Sequence, residues 1–133
     1  MKITTIISWV ARLLSAVIML QTLYFKFSAS PESVYIFTTV GMEPWGRIGT
    51  GVMELIASGL LLVTVTAWLG AGLALGLMAG AIGMHFAILG IEVQNDGGQL
   101  FLYAVTVAIC SLYILWYNSE KIEMIVKRFR PGK

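Results

Sequence analysis

Long apolar runs, separated by short polar stretches, dominate the pattern of this chain. A helix needs about 20 mostly apolar residues to cross the hydrocarbon core of a bilayer. Runs of about that length occupy residues 3–24, 48–67, 70–89 and 100–117. The second and third are nearly continuous, and residues 66–70 are the expected place for a tight turn between them. The pattern therefore predicts an all-α fold, an integral membrane four-helix bundle formed by a single domain.

A short helix is predicted between the first and second spans, over residues 31–40. Ser30 is typical of a helix cap, Pro31 of a first helical position and Glu32 of a first turn. Gly41 marks the expected end of the segment. We expect this helix to lie at the membrane interface and to cover one end of the bundle.

Composition supports the membrane assignment and narrows the chemistry. Hydrophobic residues make up 58% of the chain and charged residues 12%. The charged fraction is about half that of soluble domains, which argues against a soluble domain and excludes a disordered chain. The single cysteine, Cys110, cannot form an intramolecular disulfide, and the single histidine, His85, cannot build a multi-histidine site alone. We therefore predict no metal site.

The distribution of charge predicts an orientation. Five of the nine basic residues lie in the last 13 positions, within a basic tail over residues 118–133. The positive-inside rule then places both termini in the cytoplasm and the loops 25–47 and 90–99 outside. The tail is either an amphipathic segment on the anionic inner leaflet or a simple topology signal. A cleaved signal peptide is the alternative for the first span, but Arg12 interrupts its apolar run.

Ionisable residues inside a span are candidates for function, because a charge near the centre costs about 2.5–3.5 kcal/mol on insertion scales. Arg12 in the first span and Glu54 in the second are the deepest charges, and a structural ion pair between them is one prediction. Further polar residues fall near the outer end of the bundle. The candidate ligand-binding residues are Gln21, Lys26, Arg47, Glu54, His85 and Tyr103. For His85, the alternative is a hydrogen bond between helices.

The third span carries a stripe of glycines, Gly72, Gly76, Gly80 and Gly83, at spacings of three and four residues. Small residues at this spacing allow helices to approach closely in lipid. The stripe therefore predicts a central helix that packs tightly against its neighbours.

A polar pocket in the outer half of a membrane bundle suits an amphipathic ligand with a polar head and an apolar body. A quinone fits this description, because its carbonyl oxygens can accept hydrogen bonds from His85, Lys26 or Gln21. A carboxylate near a histidine can also relay the protons that quinone reduction consumes.

Several segments together resemble the DoxX family: QTLYFKF at 21–27, PESVYIF at 31–37, GMEPWGRIG at 41–49, ELIA at 54–57 and residues 85–93. The resemblance spans residues 12 to about 117. It implies a small four-helix protein of the bacterial inner membrane, and its polar positions are Arg12, Lys26, Arg47, Glu54 and His85. The family takes its name from a subunit associated with thiosulfate:quinone oxidoreductase, which favours a quinone-linked role.

Three functions are consistent with these patterns. The first is a quinone-interacting, redox-associated membrane subunit, with quinone as the ligand and a redox protein as the partner. The second is a non-enzymatic binder or carrier of a small amphipathic molecule. The third is a structural subunit of a larger membrane complex. All three involve the lipid bilayer, and none involves a nucleic acid.

Overall fold

The chain forms an all-helical fold in a computed structural model that describes residues 2–94 and 96–129. Within these residues, the α-helices are α1 (Ile3–Phe27), α2 (Pro31–Thr39), α3 (Trp45–Leu62), α4 (Ala67–Met84), α5 (Gln99–Tyr117) and α6 (Ser119–Arg128). A 3₁₀ turn, Thr64–Thr66, precedes α4, and a π-helical turn, His85–Leu89, follows it. The predicted all-α class is confirmed.

The four long helices pack in a closed ring, α1–α3–α4–α5, in which each contacts two neighbours. Successive members run antiparallel. Met19, Leu61, Val107 and Ile114 fill the centre and are at most 1% exposed. We call the end where α1 finishes the Lys26 end, and the opposite end the Tyr117 end.

Among the described residues, three helical segments are long and apolar enough to cross a membrane: Ile3–Phe27, Thr64–Leu89 and Gln99–Tyr117. Large apolar side chains point outward from α1 and α5; Val17, Leu102 and Ile109, for example, are each 62% exposed. A surface of this kind is compatible with lipid rather than water. The chain is therefore a membrane protein whose apolar helices contact lipid.

The connection between α3 and α4 differs from the predicted turn at residues 66–70. The reversal comes earlier, at 63–66, and Gly70 lies inside α4 at its contact with α3. A Cβ atom at Gly70 would lie 2.7 Å from the backbone nitrogen of Leu61 and 2.9 Å from the carbonyl oxygen of Ala57. Gly70 therefore allows a close helix approach and does not form the turn.

Helices α2 and α6 lie outside the ring. The side chain of Ser30 accepts a hydrogen bond from the backbone nitrogen of Ser33, as its predicted role as the cap of α2 requires. Helix α6 has no buried residue and carries Lys127 and Arg128 in its last turn. It covers most of the predicted basic tail, and residues 130–133 of that tail lie outside the described residues.

Candidate functional site

An ion pair between α1 and α3 lies at the Lys26 end of the bundle. Lys26 Nζ is 2.9 Å from Glu54 Oε1, and the side chains are 15% and 3% exposed. The hydroxyl of Thr22, one helical turn before Lys26 on the same face of α1, has two acceptors within reach: Glu54 Oε2 at 2.9 Å and the carbonyl oxygen of Met19 at 3.0 Å. Each carboxylate oxygen of Glu54 therefore has a neighbouring donor. Sequence reasoning missed Thr22, although its four-residue spacing from Lys26 could have revealed it.

Arg47 contacts the backbone of Lys26, one of the two partners in this ion pair. Its Nη1 donates to the carbonyl oxygen of Lys26 at 2.5 Å, and its Nε and Nη2 bind the carboxylate of Glu43. The side chain of Arg47 is 9% exposed, and Arg47 does not line the cavity described below. Arg47 was predicted to bind ligand; the structure places it outside the cavity wall, in contact with Glu43 and the backbone of Lys26.

His85 opens the π-helical turn after α4 and is 5% exposed. Its Nδ1 lies 2.8 Å from the carbonyl oxygen of Gly90, and since a carbonyl only accepts, Nδ1 carries the proton. Gly90 has φ +79°, a left-handed conformation that favours glycine. The bond is local to this turn, whereas the sequence suggested one between helices. In a neutral ring, Nε2 is then an acceptor.

Tyr103, on the first turns of α5, accepts a hydrogen bond from Gln99 Nε2 at 2.7 Å. A phenol that accepts in this way still has its own hydrogen to donate. Tyr103 can therefore serve as a neutral donor to a ligand.

A cavity of about 560 Å³ brings these side chains together at the Lys26 end, and most of its wall is apolar. Five of the six predicted ligand-binding residues line it: Gln21, Lys26, Glu54, His85 and Tyr103. Helix α2 contributes Ser33, Ile36 and Phe37 to the wall and lies across one side. This combination of apolar wall and a few polar groups is typical of small-molecule sites.

Two acidic residues outside the long helices, Glu32 and Asp96, lie at the Lys26 end of the bundle. Glu32 of α2 lines the cavity, and burial, together with the nearby charge of Asp96, raises its pKa. Burial alone would also raise the pKa of Asp96, but backbone N–H donors from Val93, Gly98 and Leu100 outweigh it and lower that pKa. Sequence reasoning treated Glu32 only as a first-turn acid and did not include it in the site.

Arg12 lies away from the cavity, and the predicted ion pair with Glu54 is not formed. Among the described residues, the ion pairs are Lys26–Glu54 and Glu43–Arg47. Arg12 Nε instead donates to the carbonyl oxygen of Leu61 at 2.6 Å, two helical turns beyond Glu54. Its guanidinium lies 3.7 Å from the centroid of the Trp9 ring.

Arg12 therefore acts at the C-terminus of α3. The last carbonyls of a helix lack donors within the helix, and a cation there also interacts favourably with the helix dipole. Arg12 is 3% exposed, so its charge is screened little by solvent. These contacts give Arg12 a structural role at this helix end, while its Nη2 is buried without a hydrogen-bond partner among the described residues.

The glycine stripe of α4 does not pack tightly, contrary to the prediction. A Cβ atom at Gly72, Gly76, Gly80 or Gly83 would meet nothing within 4 Å. The contacts with neighbouring helices come from the opposite side of α4, where Ala71 and Ala74 are fully buried. Gly76 and Gly80 line the cavity. Their missing side chains therefore create space for a ligand.

Within residues 2–94 and 96–129, no group of three or more His, Cys, Asp or Glu side chains is placed to hold a metal ion. Comparison of the chain with known protein families, curated proteins and solved structures finds no match.

Proposed function

We propose that all four long helices cross a membrane, so that α3 completes an integral four-helix bundle. Helix α3 packs between α1 and α4 in the ring. Its two charged residues have partners, since Glu54 pairs with Lys26 and Arg47 with Glu43. Pairing reduces the cost of placing charges within a membrane segment. Its outward face is apolar, with Leu55 48% exposed.

The proposed family is DoxX, and the proposed location is the bacterial inner membrane with both termini in the cytoplasm. The sequence segments given above and the positive-inside rule support this proposal. Fusions of the C-terminus to green fluorescent protein and to alkaline phosphatase test the orientation. We expect the first to fluoresce and the second to be inactive, and the reverse pattern would overturn the orientation.

The proposed function is that of a quinone-interacting, redox-associated subunit. The observation that carries it is the cavity of about 560 Å³, in which Lys26, His85 and Tyr103 join an otherwise mainly apolar wall. A quinone takes up two electrons and two protons when its carbonyl groups become hydroxyls. Its ring and substituents suit an apolar wall, and its two oxygens need a small number of polar partners.

The side chains of the cavity can bind both the quinone, with its carbonyl oxygens, and the reduced form, with its hydroxyl groups. Lys26 and Tyr103 can donate hydrogen bonds to a carbonyl oxygen. His85 Nε2 can accept a hydrogen bond from a hydroxyl, because Gly90 holds the ring proton on Nδ1. Glu32, with its raised pKa, is placed on α2 to exchange protons with the cavity. We assign electron delivery to a redox protein partner in the membrane.

Purification in a mild detergent, followed by mass spectrometry of extracted small molecules, tests this proposal. We expect quinone to co-purify, and added decyl-benzoquinone to raise the unfolding temperature of quinone-free protein. A preparation that contains no quinone and has no affinity for decyl-benzoquinone would falsify it.

A second candidate is a binder or carrier of an amphipathic molecule without turnover. The contacts of Glu54 favour it, since Lys26 and Thr22 both bind the carboxylate and a structural role accounts for its place in the cavity wall. Thermal stabilisation by a quinone that is neither reduced nor oxidised in membranes containing the partner would support this candidate over the first.

A further inference from the structure

A second, more open hollow of about 510 Å³ lies on the outside of the bundle, between the first half of α3 and Leu77 of α4. We call it the α3–α4 groove. Its wall includes Trp45, Gly49, Val52 and Met53, and apart from Thr50 it consists of apolar residues and glycines. Trp45 is 66% exposed and Val52 43%, so the groove opens towards the surroundings of the bundle.

The groove and the polar cavity share part of their walls. Met42, Thr50 and Leu77 line both. Methionine and leucine side chains are flexible enough to adapt around a chain that passes between them. A molecule whose head lies beside Lys26 and His85 can therefore extend past Leu77 into the groove.

We propose that the ligand of this protein carries a long apolar tail, which leaves the polar cavity between α3 and α4 and lies in the groove. This inference rests on the proposed function and adds the class of ligand: a quinone with a hydrocarbon tail. The groove lacks charged groups and the cavity contains them, so the head and the tail have separate places. The ligand therefore binds in one orientation.

The tail adds to the binding affinity through van der Waals contacts and not through transfer out of water. Lipid is as apolar as the groove, so the hydrophobic effect does not favour one over the other. The groove instead supplies van der Waals contacts along one side of the tail. A substitution that fills the groove should therefore weaken binding of the tailed ligand and leave binding of the head group unchanged.

Gly49 and Gly59 provide a matched pair of variants on α3. A Cβ atom at either position would meet nothing within 4 Å, so a side chain can begin at Gly49 or Gly59 without a clash with the backbone. Gly49 lines the groove, whereas Gly59 lines neither cavity. The probes are decyl-benzoquinone and the same benzoquinone without its tail, each titrated into protein in lipid nanodiscs. Each variant is compared with the wild type using the same compound, so partition into lipid cancels.

We expect Gly49→Leu to raise the Kd of decyl-benzoquinone about tenfold, and to leave the Kd of the tailless compound unchanged. Gly59→Leu should change neither. Equal weakening of both compounds by Gly49→Leu, or no weakening of either, overturns the tail path while leaving quinone binding intact. If the wild type binds neither compound, the proposed function fails together with this inference.

Discussion

The ion pair between Lys26 and Glu54 allows a direct test of how the site is held together. Glu54→Gln keeps the shape of the side chain and an oxygen acceptor for Thr22, but removes the charge. The ammonium of Lys26 then remains in the wall of the cavity without an anion. The expected result is a loss of stability, measured as the free energy of unfolding.

The size of the loss follows from the geometry. At the 2.9 Å separation of Lys26 Nζ and Glu54 Oε1, two unit charges attract by about 6 kcal/mol at an effective dielectric constant of 20. Desolvation offsets part of this, and removal of one partner from a buried pair costs about 3–5 kcal/mol. Lys26 keeps 15% exposure, so its charge retains some solvation. We therefore expect the lower end, about 3 kcal/mol, for Glu54→Gln.

The assay measures the free energy of reversible unfolding in mixed detergent micelles. It compares the wild type, Glu54→Gln, Lys26→Met and the double variant. Because the double variant removes both charges, we expect its loss to be smaller than the sum of the single losses by about 2 kcal/mol. Additive losses, or a change below about 0.5 kcal/mol for Glu54→Gln, would show that the pair does not stabilise the bundle. Binding of decyl-benzoquinone by a stable double variant would assign the pair to structure alone.

Three further predictions concern the cavity wall, the end of α3 and the loop before α5. Gly80→Leu places a side chain in the cavity and should weaken binding of decyl-benzoquinone about tenfold in a titration, whereas Gly83→Leu, equally open but outside the cavity wall, should not. Arg12→Met leaves the carbonyl of Leu61 without its charged donor and should cost about 2 kcal/mol in the unfolding assay, with partial recovery in Arg12→Lys; a neutral result would contradict its role at the end of α3. The pKa of Asp96 is below its ordinary value of 3.8, so the folded protein binds fewer protons than the unfolded chain as the pH falls below that value. Its stabilisation is therefore present above pH 3.8 and lost on acidification, and Asp96→Asn should flatten this part of the pH dependence of unfolding.

The residues of the cavity were predictable as a group, but their roles were not. Gln21, Lys26, Glu54, His85 and Tyr103 all line it. Counting residues along a helix gives the depth of a side chain in a membrane, because the rise is a constant 1.5 Å per residue. This calculation is enough to predict that polar groups from several helices lie at one depth in the membrane.

Which of these polar side chains pair with each other depends on how each helix is rotated about its axis. Depth alone does not specify that rotation. Glu54 therefore pairs with Lys26 rather than with Arg12, and Arg47 turns towards Glu43 and the backbone of α1. Glu32 joins the wall only because α2 folds back across the end of the bundle.

Local chemistry along the chain is enough to predict the apolar helices, the Ser30 cap of α2 and the depth of the polar groups. Periodicity, hydropathy and capping act within a few residues, so they can be recognised without the fold. Which glycines pack against a neighbour and which leave space depends on the arrangement of the helices. Gly70 meets the backbone of α3, while Gly76 and Gly80 face a cavity, although all three are equally small. That difference depends on where neighbouring helices lie, and only their packing determines it.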